Sequence, residues 1–236
     1  MSALLEVSGV SVHFGGVTAV DNAHLSAEAG RITGLIGPNG AGKTTLFNVI
    51  TGVQPASAGS VNLDGRDITR LSTFRRARLG MARTFQRLEL FWTLTVAENV
   101  LVAAEQAGVS DPRATTDAVL ERVGIRSLAD ESAGQLPTGL ARLVEVARAL
   151  ACAPRLLLLD EPASGLDERE TVELGTLLRS LADEGLGVLL VEHDMSLVMG
   201  VCHTVSVLDL GRIIASGPPA EVRQHPSVIE AYLGAA

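Results

Sequence analysis

Aromatic side chains are scarce in this sequence, with one Trp, one Tyr and five Phe among 236 residues. A core of that composition must be built from Leu, Val, Ile and Ala, the residues that fill a parallel sheet covered by helices. Cysteine is nearly absent too. Cys152 and Cys202 stand alone, without CxxC or metal-ligand spacing, and read as reduced core thiols. A basic surplus is also missing, because the formal net charge is −8. That argues against a nucleic-acid binder, whose phosphate contacts need a positive surface. No apolar run approaches the ~18 residues that cross a bilayer. Met1 to Glu6 lacks the charged and apolar regions of a signal peptide. Any membrane association is therefore expected through a protein partner. Internal repeats, low-complexity tracts and linkers are absent.

What is present begins with Gly37-Pro38-Asn39-Gly40-Ala41-Gly42-Lys43-Thr44-Thr45. It follows the apolar run Ile32 to Ile36 and precedes a helix-like stretch, Leu46 to Ile50. This is G-x-x-x-x-G-K-[ST] in strand–loop–helix context, the setting the motif requires. Glycines let the backbone wrap a phosphate chain, and N–H groups at a helix N-terminus point at the anion. Lys43 would reach the β- and γ-phosphates, and the Thr44 hydroxyl would ligate Mg2+.

Around this loop the periodicity changes along the chain. Residues 4–36 read as β-structure interrupted at Gly15-Gly16 and turned at Ala29-Gly30, with Val10 and Val12 alternating against Ser11 and His13. Asp64-Gly65 and Leu210-Gly211 carry hairpin signals. Between about 87 and 153 the pattern becomes helical. Thr95-Val96-Ala97-Glu98 is a capping-box pattern, and Leu140, Leu143, Val144, Ala147, Leu150 and Ala151 share one helix face. Leu156 to Leu159 and Gly187 to Glu192 read as short buried strands, and 219–233 as a closing helix broken near Pro226. Strands alternating with helices predict an α/β parallel sheet.

The first of those strands ends in Asp160-Glu161. Asp160 would be a second Mg2+ ligand, directly or through water, and Glu161 could polarise an attacking water as general base. His193 follows the next buried strand. It would contact the γ-phosphate, orient Glu161, or simply be structural. His13, His24, His203 and His225 have no ligand spacing and read as structural. Arg75, Arg76, Arg78, Arg83 and Arg87 make a basic stretch, read as a solvated face or as a contact to a membrane partner or lipid headgroups.

A series of landmarks stands in the order seen in ABC transporter ATPase subunits, and the resemblance covers the whole chain. These are Phe14, the phosphate loop, Gln86, Leu136–Leu140, Leu156–Glu161 with Ser164-Gly165-Leu166-Asp167, and His193. Ala82-Arg83-Thr84-Phe85-Gln86, Val191-Glu192-His193-Asp194-Met195 and Val228 to Gly234 resemble the branched-chain amino acid importer type. The resemblance implies a P-loop NTPase in one ABC ATPase domain over 1–236. It would have an N-terminal antiparallel β-subdomain, a parallel-sheet core about 1–86 and 154–236, and an inserted helical subdomain about 87–153. It implies Phe14 stacked on adenine, Gln86 sensing Mg2+ and γ-phosphate, and His193 as the switch histidine. Catalysis would fall to Glu161, His193 and Gln86, with Mg2+ held by Thr44, Gln86 and Asp160. ATP would be bound by Phe14, by Gly37, Pro38, Asn39, Gly40, Ala41, Gly42, Lys43, Thr44 and Thr45, and in trans by Thr138 and Gly139. Leu90-Phe91-Trp92-Thr93-Leu94 would line the groove for a permease coupling helix, Trp92 serving that interface or packing within the helical segment.

The departure lies in the signature loop. Where the family has Leu-Ser-Gly-Gly-Gln, this chain has Leu136-Pro137-Thr138-Gly139-Leu140. Pro137 offers neither hydroxyl nor N–H, while Thr138 could supply a substitute hydroxyl or act as N-cap. A weakened contribution to a partner's ATP is expected. The implied partners are a second ABC ATPase subunit, a different one or this chain itself, and transmembrane permease subunits. A solute-binding protein would act indirectly, and nucleic acid is not expected. The implied location is peripheral, on the cytoplasmic face of the membrane. The alternatives are a lipid or lipopolysaccharide exporter ATPase, or a soluble ABC ATPase acting on nucleic acid or ribosome.

Overall fold

The computed structural model describes residues 3–233. Two sheets share one helix between them. The chain opens with β1 (Leu5–Phe14) and β2 (Val17–Ala27), joined antiparallel across Gly15-Gly16, then enters β3 (Ile32–Ile36) and α1 (Lys43–Thr51). A short meander follows as β4 (Ala58–Leu63), β5 (Arg66–Asp67) and α2 (Thr73–Ala77), before β6 (Met81–Arg83). The β4–β5 turn places Asp64 and Gly65 both at positive φ, the geometry a two-residue hairpin of this type demands. The first sheet is antiparallel in the order β2-β1-β4-β5.

After β6 the chain leaves the sheet as α3 (Val96–Ala107) and α4 (Pro112–Val123) and returns through α5 (Thr138–Ala151). The α3 start carries the expected capping box, Thr95 accepting from the Glu98 amide while the Glu98 carboxylate takes the Thr95 amide. The second half runs β7 (Leu156–Asp160), α6 (Glu168–Asp183), β8 (Gly187–Val191), α7 (Met195–Val201), β9 (Thr204–Asp209) and β10 (Arg212–Gly217). Two helices close it, α8 (Pro219–Val222) and α9 (Pro226–Leu233), separated where Pro226 was expected to interrupt them. The ending Val228 to Gly234 is described only as far as Leu233, and Gly234 lies outside the described residues.

The second sheet has the order β10-β9-β3-β8-β7-β6, parallel except for the β9–β10 hairpin. Strands β3, β7 and β8 are buried at every position, as strands covered on both faces must be. Their side chains alternate between two cores. Ile32, Leu157 and Leu190 face the layer of α3 to α7, and Leu35, Leu158 and Leu189 face α1 and the antiparallel sheet. Each buried Leu or Ile contributes about 1.5–3 kcal/mol of transfer free energy. The arrangement is an α/β P-loop architecture, with β3 at the centre and the ends of β3, β7 and β8 opening on one edge.

Several expectations change at this level. The α5 face predicted from Leu140 and Leu143 is only half-buried there, while Ala141, Arg142, Glu145 and Val146 are buried. The helix lies between α3, α4 and the strands β6 and β7, so it is covered nearly all round. Of the two thiols only Cys202 is in the core; Cys152 is exposed at the end of α5, because the helix stops there and the chain turns away. The basic stretch is not one solvated face. Arg76 is buried and donates to the carbonyls of Val49, Ile50, Thr69 and Leu71, closing the C-terminal end of α1. His203 is structural as expected, its Nδ1 accepting the Ile32 amide at 3.0 Å.

Candidate nucleotide site

The phosphate loop leaves the end of β3 with Gly37 at φ 151, where a Cβ would sit 1.9 Å from the Leu208 carbonyl oxygen. Gly42 at φ 105 has the Ala19 carbonyl 2.4 Å from the place of its absent Cβ. Both approaches are closed to any other residue, so the loop is clamped by β9 on one side and by the β1–β2 hairpin on the other. Gly42 is also the N-cap of α1 and supplies no side-chain cap. The first-turn amides are therefore left facing outward, an anion site in the making.

Lys43 folds back over this loop. Its Nζ donates to the carbonyls of Gly37 at 2.6 Å and Pro38 at 3.0 Å. Burial pushes its pKa down, and the nearby charges of Glu161 and Asp160 pull it back up. The structure thus gathers Lys43, Asp160 and Glu161 at one sheet edge.

Asp160 ends β7 and is 2% exposed. Its amide donates to the Thr84 hydroxyl at 3.1 Å, while the Thr84 amide donates to Leu158. Burial pushes the carboxyl up, and the Arg83 guanidinium, 3.5 Å from Oδ2, opposes that. Oδ2 is buried with no hydrogen-bond donor among the described residues. A buried carboxylate oxygen in that state, near the helix bearing the Thr44 hydroxyl, fits a hard oxygen-seeking cation.

Glu161 has φ 51, a left-handed conformation costing on the order of 1 kcal/mol for a side-chain-bearing residue. The twist turns its carboxylate out of the strand. His193 Nδ1 stands 3.9 Å from Glu161 Oε2, with the His side chain 70% exposed. Phe14 ends β1 and is 49% exposed, an aromatic face without the cover a core residue has. On the last helix, burial pushes the Tyr232 hydroxyl up, opposed by the Gly37 backbone it faces.

Gln86 lies in an exposed loop that α5 holds from below. Arg142 donates to the Phe85 carbonyl at 2.7 Å and to the Gln86 carbonyl, and pairs with Glu145 at 3.0 Å. Glu145 in turn accepts the Glu89 amide at 2.8 Å. The hydrophobic periodicity gave no reason to single out this pair. The signal was nevertheless present, as Arg142, Glu145 and Arg148 are the three charges on an otherwise largely apolar helix.

A family model described as ABC transporter matches residues 20–164. The chain belongs to the ABC transporter ATP-binding family. Its C-terminal residues 212–236 also match a model described as branched-chain amino acid ATP-binding cassette transporter. It is 42% identical to the high-affinity branched-chain amino acid transport ATP-binding protein BraF of Pseudomonas aeruginosa, covering 99% of this chain and 98% of BraF. It is 34% identical to the lipopolysaccharide export system ATP-binding protein LptB of Escherichia coli over 98% of both chains. Among solved structures it is similar to a nucleotide-free ATP-binding cassette from an ABC transporter, with TM-score 0.90, 30% identity and coverage of 98% and 99%. A cassette in its ADP conformation gives TM-score 0.88 at 30% identity, covering 99% of this chain and all of that one. The chain is thus an ABC-type ATPase, and the residues described above are its candidate nucleotide site.

Within this ABC cassette the remaining candidates lie apart from the phosphate loop. Thr138 and Gly139 begin α5 and pack on Gly165, Leu166 and Glu170. Thr138 is not the N-cap; Pro137 occupies that place without a side-chain hydrogen bond, because helical geometry already begins at Thr138. A groove of about 640 Å³ opens beside β6, lined by Phe74, Phe85, Phe91, Arg148 and others. Of the Leu90–Leu94 segment only Phe91 lines it. Leu90 is buried in the core and Trp92 is 46% exposed elsewhere, because Asn99 takes the Phe91 amide and carbonyl and turns the segment sharply. No helix among the described residues is long and apolar enough to cross a membrane.

Proposed function

We propose that this ATPase powers an importer for branched-chain or related amino acids, working with a transmembrane permease. The observation that carries this reading is the match of residues 212–236 to the branched-chain cassette model, beyond the nucleotide core that all such cassettes share. ATP lies along the phosphate loop from Gly37 to Thr45, with Lys43 leaving the Gly37 and Pro38 carbonyls for the β- and γ-phosphates and Phe14 under the adenine. Mg2+, held by Thr44, Asp160 and Gln86, would offset the phosphate charge. Glu161 takes the proton of the attacking water, and His193 and Gln86 sense the γ-phosphate.

Thr138 and Gly139 face the nucleotide of a second ATPase subunit. A different subunit suits this chain better than its own copy, because Pro137 has lost both hydroxyl and N–H. The helical subdomain, about 87–153, moves relative to the core, about 1–86 and 154–236. The groove bearing Phe74, Phe85 and Phe91 receives the permease on the cytoplasmic face, and a solute-binding protein delivers the substrate from the other side.

The test measures leucine uptake by vesicles carrying the full transporter. K43A is expected to lose nucleotide binding and uptake, while E161Q keeps binding and loses turnover. Parental turnover by E161Q removes the general-base assignment. The competing reading is a lipopolysaccharide exporter subunit, favoured by the 34% identity to LptB. Co-purification with a lipid-exporting permease and no solute-binding protein would establish that reading instead.

A further inference from the structure

Glu192 is the last residue before His193, and its side chain is fully buried. Neither the phosphate loop nor the proposed metal ligands use it. Its two oxygens serve two different loops. Oε1 accepts the Ala163 amide at 2.8 Å, and Oε2 accepts the amides of His193 at 3.0 Å and Asp194 at 3.4 Å.

The hydrogen-bond accounting of the Glu161 turn shows why this matters. The Glu161 amide donates to Val191 and the Ser164 amide to the Glu161 carbonyl. Pro162 has no N–H, so Ala163 carries the one remaining donor of that turn, and Glu192 takes it. On the other side, the Asp194 side chain caps α7 through Ser196 and Leu197, so the backbone of 193–194 is held from below by that cap and from above by Glu192. The positive φ of Glu161 needs such bracing to persist.

We infer that Glu192 is a positioning residue that locks the Glu161 loop to the His193 loop and so sets the separation of those two side chains. The inference rests on the proposed roles of Glu161 and His193. A carboxylate suits the task because it is acceptor-only on both oxygens. A glutamine of the same shape has one acceptor, and its NH2 would face a backbone N–H, so one of the two loops must be released. Misplacement of a reacting group by about 1 Å costs roughly a hundredfold in rate.

The experiment measures ATP binding and steady-state hydrolysis by the full transporter carrying E192Q, E161Q or both. For E192Q, kcat is expected to fall by about tenfold to a hundredfold while ATP affinity, set by the phosphate loop, stays parental. The double variant is expected to lose much less relative to E161Q than E192Q loses relative to the parent, since Glu192 acts by placing Glu161 against His193; fully multiplicative losses overturn the inference. Parental kcat in E192Q overturns the inference, as does an equal loss of kcat and ATP affinity, which marks a purely structural carboxylate. If E192Q does not fold, E192D replaces it. Its shorter arm keeps the charge but reaches only one loop, so the same fall in kcat at parental affinity is expected and parental kcat overturns. A fully active E161Q would remove the general-base reading, a result separate from an inactive E161Q beside a fully active E192Q.

Discussion

Arg83, itself half-buried, holds its guanidinium 3.5 Å from the buried Asp160 carboxylate, with the same fork reaching Asn48 and Thr51 at 3.0 Å each. The Phe85 ring lies 4.5 Å from it and Phe47 5.4 Å. One side chain thus joins α1, the end of β7 and the loop of Gln86. Truncation removes the nearest counter-charge of a buried carboxylate, a loss that costs about 3–5 kcal/mol. R83M is expected to lose that much in urea denaturation. R83K should recover little, because a single ammonium cannot replace the planar fork.

Glu145 predicts a pH effect. Burial pushes its carboxyl above the ordinary 4.5, with the Glu89 amide and Arg142 opposing. The folded chain therefore holds a proton that the unfolded chain has already released, and stability falls as pH rises from 4.5 towards the raised value. E145Q carries no titrating proton, so its urea midpoint should decline less steeply over that interval than the parent's. Equal slopes would count against a raised Glu145.

Gly37 is the tightest point of the loop. An Ala there meets the Leu208 carbonyl at 1.9 Å with φ 151. Strained backbone of that kind costs about 1–3 kcal/mol before any overlap is added. G37A should be destabilised beyond that range and should bind ATP weakly; a parental melting temperature would contradict the clamp.

Pro137 is the N-cap of α5 with φ −55 and ψ 152 and no side-chain bond. Serine fits that conformation and is a preferred N-cap. If this helix start faces a partner's nucleotide, P137S adds a hydroxyl and an N–H there. Bonds to charged groups are worth about 1.5–3 kcal/mol, or roughly one to two powers of ten in rate. P137S should raise ATP hydrolysis by the chain alone. An unchanged rate would argue that α5 plays no such part.

Local signals carried much of the architecture. The turns at Asp64-Gly65 and Leu210-Gly211 occur with both residues of each pair at positive φ, because short polar or glycine residues tolerate it and the tight hairpin enforces it even on Leu210. The capping box at Thr95 and Glu98 is likewise a matter of neighbours in sequence. Longer-range roles were hidden. Arg76 and Arg83 look like any surface arginines until α1 and Asp160 are placed beside them. Leu90 and Trp92 sit two residues apart, yet one is core and the other exposed, because Asn99 turns the chain between them.

By itself the sequence determined that a G-x-x-x-x-G-K-[ST] loop joins a strand to a helix and that Asp160 ends an apolar strand, since those patterns depend on spacing within a few residues. Tertiary structure alone decided which groups meet. Leu208 closes on Gly37, Arg83 on Asp160 and Glu192 on Ala163, contacts across strands and loops far apart in the chain. Buried charges and amides must find partners wherever the fold brings them. Local periodicity holds no record of which ones those will be.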